Sequence, residues 1–228
     1  MEAGEGLTPY KERRDLVEDI DDFSCSLSLV VLGSHVRSYN EDEDEDEENE
    51  QLESPQHRGE MAESPLVIGD IHALGQNEAT ATIEAISRIE RRTFPTSEAM
   101  QFDVSLWRKK PNTRVIYGKT TMAAAAATSM TSKVIAYAVY VRVKEKALLH
   151  KICVEGGHRG QGLGRQMMVY IEDRLRREGC QAVHLWVDAA RTPARRLYSS
   201  RGFEETETVD DYYGRDRTGI KMVLDLTR

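Results

Sequence analysis

The stretch Leu148–Arg165, LLHKICVEGGHRGQGLGR, limits the possible folds more than any other part of this chain. It opens as an apolar strand carrying Leu148, Ile152 and Val154, and it breaks at Gly156-Gly157. It then passes through Arg159-Gly160-Gln161-Gly162-Leu163-Gly164 into a segment with helical spacing. Strand, glycine-rich turn and helix together can hold an anion. Glycines let a ligand approach the backbone, and the free N–H groups of a helix start point at it. The glycines do not spell the dinucleotide fingerprint G-x-G-x-x-G, and no lysine-serine pair of a P-loop follows. Taken alone, the loop equally suits a plain connection between two core elements.

Charge divides the chain in two. Residues 1–64 carry 20 acidic and 5 basic side chains, whereas residues 65–228 carry 19 acidic and 26 basic ones, a net of +7. The overall net of −8 therefore hides a basic second part, which suits a polyanionic ligand. Cys25, Cys153 and Cys180 are odd in number and far apart, with no CxxC and no His/Cys cluster. That argues against a disulfide framework or a zinc site and for a reducing compartment, cytoplasmic or nuclear. No window has the length of apolar residues that a membrane span needs. The acidic beginning does not resemble a secretory or mitochondrial presequence. Aromatic–basic interleaving, a helix-turn-helix and a zinc pattern are all missing, which argues against a nucleic-acid ligand.

Residues 1–64 read as a disordered acidic tail, because the run Glu41–Glu50 repels itself and can bury nothing. An apolar island at Leu27–Leu32 interrupts it. The tail is either a solvated segment or one that binds a basic partner. A single domain is expected over 65–228. It starts with a strand over Leu66–Ile71, then a helix capped by Asn77 and running to Arg92, with Ile83, Ile86 and Ile89 on one stripe. Phe94-Pro95 stops that helix. A second helix is expected over Ser97–Trp107. Strands follow at Val115–Tyr117, Val134–Val143 and Ala147–Val154, with a surface hairpin insertion over Thr120–Ser132. The glycine loop feeds a helix over about Gly162–Glu178, which Gly179 terminates. Strands at Ala182–Asp188, Phe203–Thr208 and Ile220–Leu226, with a helix at Thr192–Ser200, complete the chain. The predicted class is α/β, with a mixed and mostly antiparallel central sheet.

Four segments carry a family resemblance over about Pro65–Leu226. The run Arg159–Gly164 resembles the pyrophosphate loop (Q/R-x-x-G-x-G/A) of the GNAT superfamily of acyl-CoA-dependent N-acetyltransferases. ARRLYSSRGFEE, Ala194–Glu205, is similar to that superfamily's A-x-x-L-Y-x-x-x-G-F segment. TFPTSE, Thr93–Glu98, resembles the FP-x-S-E of bacterial ribosomal-protein N-terminal acetyltransferases, and the ending Asp210–Leu226 resembles the tyrosine-rich loop and last strand of N-terminal acetyltransferases. The order of elements also matches the GNAT fold.

The resemblance implies acetyl-CoA as co-substrate and no metal. Its pantetheine would pair with the backbone of Ile152, Cys153 and Val154. Its pyrophosphate would lie on Arg159, Gly160, Gln161, Gly162, Leu163, Gly164 and Arg165. Tyr198 matches the tyrosine that protonates the leaving thiolate in many relatives. His150 stands where arylalkylamine acetyltransferases carry a histidine, which makes it a candidate base. Strand alternation puts His150 and Ile152 on one face and Cys153 on the other, which argues against an acyl-cysteine intermediate. The base position of N-terminal acetyltransferases is Trp186 here, and their asparagine is Arg191. His184, Asp188 and Glu155 are reserve bases. Phe94, Pro95, Tyr212 and Tyr213 would bind the acceptor. That acceptor is a protein N-terminal or lysine amine, or alternatively a small arylalkylamine or polyamine. The other alternative is a non-catalytic acyl-CoA-binding module.

Overall fold

A computed structural model describes residues 66–102, 110–122 and 131–228. The acidic tail expected over 1–64, residues 103–107 of the second predicted helix and the centre of the predicted hairpin insertion lie outside these residues. The described elements are β1 (Leu66–Asp70), α1 (Gln76–Thr93), β2 (Thr113–Met122), β3 (Thr131–Val143), β4 (Lys146–Val154), α2 (Leu163–Arg177), β5 (Ala182–Asp188), α3 (Thr192–Ser200), β6 (Glu204–Val209) and β7 (Gly219–Asp225). The strands form one sheet in the order β1-β2-β3-β4-β5-β7-β6. Neighbours in it are antiparallel except β4 and β5, which are parallel. That parallel pair requires a crossover, and the glycine loop with α2 supplies it.

Two apolar layers sandwich the sheet. Helix α1 covers one face through Ala79, Ile83, Ile86 and Ile89, packed on Val115, Tyr117, Tyr137, Val139 and Cys153. Each buried isoleucine contributes roughly 1.5–3 kcal/mol. Helices α2 and α3 cover the opposite face. There Leu163, Met167, Ile171, Leu175, Ala194 and Tyr198 pack on Leu149, Ile152, Val154, Leu185 and Val187.

Several local expectations need correction. Asn77 does not cap α1; the cap is Gly75, and Asn77 lies within the first turn. Residues Ser97–Phe102 are turn and irregular chain rather than helix, because Pro95 fixes a bend whose carbonyl accepts from the N–H groups of Glu98 and Ala99. The last two strands are each shifted by one residue relative to the expected spans. Gly179 does end the α2 turn, in the left-handed region at φ 77°.

Candidate active site

Strands β4 and β5 pair only over Lys146–Leu149 and Ala182–Leu185. Beyond that point each keeps its outer neighbour. β3 holds Ile152 through Ala138 and Val154 through Ala136, and β7 holds Trp186, Val187 and Asp188. The two arms therefore fork, leaving the inner edge of Ile152–Val154 without a strand partner.

A bulge in β4 sits at the root of the fork. Val139 pairs with Lys151 and Tyr140 with Leu149, so β4 carries one extra residue, His150, between two successive pairs of the register. An extra residue bends and twists its strand, which turns β4 away from β5. It also interrupts the alternation of faces between Leu149 and Ile152. Leu149 and Ile152, three positions apart, share the α2 face. Lys151 meets Glu90 of α1 on the other side. Cys153 does face away from Ile152, towards α1. Burial pushes its thiol up to about 12, so it is not a nucleophile at neutral pH.

The glycine loop closes the end of the fork. Gly160 and Gly162 have φ of 76° and 73°, the left-handed region that glycine adopts without strain. Gly162 caps α2 with no side-chain hydrogen bond, and no acid stands in the first turn. The N–H groups at the start of α2 thus face an open pocket of about 150 Å³, lined by Val154, His158, Arg159, Gly160, Gly162, Leu163, Gly164, Arg165 and Leu197. Gln161, at the loop's apex, is exposed and does not line it. Arg159 turns inward, donating from Nε to the Val154 carbonyl at 3.0 Å. Its guanidinium therefore closes the loop on the strand, whereas Arg165 is exposed at the rim.

Tyr198 lies one residue after the pocket-lining Leu197 and is completely buried against Phe203. Its hydroxyl has no hydrogen-bond partner, a costly state unless a ligand supplies one. Burial, and then the neighbouring Tyr213 phenol, hold its pKa well above the usual value, so the proton stays on. His150 is half-buried, and burial lowers its pKa to about 4, so it is neutral at pH 7. Two of the reserve bases are committed to cations. Asp188 accepts from Arg217 at 2.7–2.9 Å, and Glu155 meets Lys133 at 2.7 Å. His184 is shifted downward by burial and then by Lys146 and Lys221.

The α1 side of the fork has a second constellation, which sequence reasoning missed. Lys151 and Glu90 form an ion pair at 2.5 Å, each only 1% exposed. Lys151 Nζ also donates to the Glu98 carbonyl at 3.0 Å and sits 3.8 Å above the Phe94 ring. Phe94, expected to touch the acceptor, is thus a buried prop for Lys151, while Pro95 is exposed. The Glu98 carboxylate bridges Arg191 at 3.2 Å and Arg217 at 2.5 Å, tying the loop after α1 to the β5–α3 and β6–β7 connections. Tyr212 stacks on Trp186 with ring centroids 4.3 Å apart, and Tyr213 packs edge-on against Tyr212. The stack needs Gly219, where a Cβ would stand 2.6 Å from the Tyr212 ring. The one sequence signal for this constellation was a lysine within the apolar run Ile152–Val154 and its predecessors.

A profile of the acetyltransferase (GNAT) family matches residues 83–203. The ribosomal protein bS18-alanine N-acetyltransferase of Escherichia coli (strain K12) is 35% identical over 81 residues, 36% of this chain and 55% of that protein. The chain thus spans little more than half the length of the curated relatives it matches. The crystal structure of the ribosomal-protein-S18-alanine N-acetyltransferase from Escherichia coli overlays with a TM-score of 0.54 at 25% identity, covering 71% of this chain and 94% of that one. An aminoglycoside 6'-N-acetyltransferase complexed with coenzyme A overlays with a TM-score of 0.53 at 14% identity, over 70% of this chain and 97% of that one. At that identity the likeness is one of fold.

Proposed function

This chain belongs to the acetyltransferase (GNAT) family, and we propose that it transfers the acetyl group of acetyl-CoA to a primary amine, a protein or peptide amine in the first instance. The observation that carries the reading is the fork between β4 and β5, with the unpartnered Tyr198 hydroxyl buried on the cofactor side of it. A pantetheine arm fits the open edge of Ile152–Val154 as an added strand would. A pyrophosphate fits the glycine loop and the uncapped start of α2. The acceptor enters from the α1 side, between Pro95–Glu98 and Tyr212–Tyr213.

The acceptor's neutral nitrogen attacks the thioester carbon, and the tetrahedral adduct collapses with loss of the thiolate. Tyr198 gives its proton to that sulfur, which its raised pKa keeps available until the thiolate forms. The ammonium proton of the acceptor leaves through His150, which is neutral at the working pH. The name of the Escherichia coli relative supports a protein α-amine as acceptor. Trp186 and Tyr212 are half-buried and stacked, a surface suited to an extended peptide, and Tyr213 is buried behind Tyr212.

A second reading, a cofactor-binding module without turnover, is favoured by Trp186. It stands where N-terminal acetyltransferases place a base, and it is closed off by Tyr212. One experiment separates the two. Free-thiol release from acetyl-CoA is followed with peptides, arylalkylamines and polyamines. The enzymatic reading expects turnover with at least one peptide and about a 100-fold loss of kcat in Tyr198→Phe at unchanged cofactor affinity. Cofactor binding without thiol release from any acceptor would establish the module instead.

A further inference from the structure

We propose that the acidic run Glu41–Glu50 docks on the cofactor pocket of its own chain and competes there with the phosphates of coenzyme A. The proposal rests on the reading of that pocket as the cofactor site. Nine of the ten residues in the run are acidic. The part of the chain that follows residue 64 has a net charge of +7. The pocket offers what a run of carboxylates needs: uncapped N–H groups at the start of α2, no acid in its first turn, the exposed Arg165 at the rim, and His158 in its wall. Carboxylates and phosphates are recognised there by the same donors.

The place where the chain enters the fold supports the geometry. β1 is antiparallel to β4, and α2 returns antiparallel to β4, so β1 and α2 run in the same sense. Asp70, at the end of β1, pairs with Arg174 near the end of α2 at 2.6 Å. Stepping back along β1 from Asp70 to Leu66 covers roughly 13 Å, about the length of α2 from Arg174 back to Arg165. Leu66 therefore lies level with the start of α2, and it packs on the apolar cluster that contains Leu163 and Met167. Residues 51–65 join the acidic run to this point. At full extension the chain from Glu50 to Leu66 spans roughly 54 Å, more than twice the roughly 22 Å length of α2. A segment tethered so close to its target acts at an effective concentration on the order of millimolar.

The test compares the full-length chain with a full-length variant in which each Glu of 41–50 is Gln and each Asp is Asn. Coenzyme A is titrated calorimetrically at about 30 mM and about 500 mM NaCl. The expected result is about tenfold tighter binding by the neutralised variant at low salt. The two affinities should converge at high salt, where the Debye length falls to about 4 Å. Equal affinities at low salt would overturn the proposal while leaving the cofactor reading intact, and that is also the result if the acidic run serves a basic partner. A difference that persists undiminished at high salt would overturn it too, because the competition is electrostatic. Failure of both chains to bind coenzyme A at either salt would remove the cofactor reading and this proposal with it.

Discussion

Replacing Lys151 by methionine separates the ion pair beneath the acceptor side from the packing around it. Methionine keeps most of the length and volume of the side chain and removes the charge and the donors. In the native protein, burial raises the Glu90 carboxyl and lowers the Lys151 ammonium, and each partner opposes the other's shift. With Lys151 gone, Glu90 keeps only the Met100 N–H, at 2.6 Å, on one oxygen, while the other oxygen has no partner to begin with. An uncompensated buried carboxylate of this kind costs about 3–5 kcal/mol, a large part of the 5–15 kcal/mol typical of a domain. The double variant Lys151→Met/Glu90→Gln removes both charges and keeps an acceptor for Met100, so it should stand within about 2 kcal/mol of the native protein. The pH dependence follows from Glu90. Its folded-state pKa, already above the unfolded value, rises further once the cation is lost. A raised folded pKa contributes stability that is fully present below the unfolded pKa and is lost as pH rises through the folded one. The single variant should therefore be most deficient at pH 8 and recover towards pH 5. Urea unfolding of the full-length chains at both pH values measures this. A deficit below about 1 kcal/mol at pH 8 would refute the reasoning. So would equal deficits at the two pH values, or a double variant no better than the single one.

Two further outcomes are expected. Gly162→Glu puts a side chain and a negative charge at a left-handed position beside the α2 start, so coenzyme A binding should be lost while the thermal unfolding temperature shifts by only a few degrees; retained binding would show that the loop holds no phosphate. His150→Gln should lower kcat/KM by about 100-fold without changing the shape of the pH–rate profile between pH 6 and 8. Burial puts the His150 transition near 4, below that window. An ascending limb near pH 6.5 that disappears in the variant would show that His150 titrates as an exposed histidine does.

What the sequence discloses divides along the two sides of the fork. The cofactor side is built from contiguous residues acting through their backbone: a strand, two glycines at positive φ and a helix start. Chemistry of that kind leaves a local pattern, so Gly160, Gly162 and the start of α2 at Leu163 are legible. The apolar stripes of α1 and α2 are legible for the same reason, since periodicity is local. The acceptor side is built by side chains that meet across the chain. Lys151 finds Glu90 across 61 residues, and Glu98 finds Arg217 across 119. Neither pair has a spacing that a linear pattern could expose, and period-two counting does not carry from Leu149 to Ile152. There the missing information is a one-residue shift in the register between β3 and β4. Trp186 makes the same point chemically. By sequence it is a base position without a base, whereas in the fold it is one half of an aromatic stack that depends on a glycine 33 positions later. The proposed acceptor site is therefore assembled from the loop after α1, the end of β5, the start of α3 and the β6–β7 connection. Substitutions that alter acceptor preference should fall in those four places and leave the glycine loop untouched.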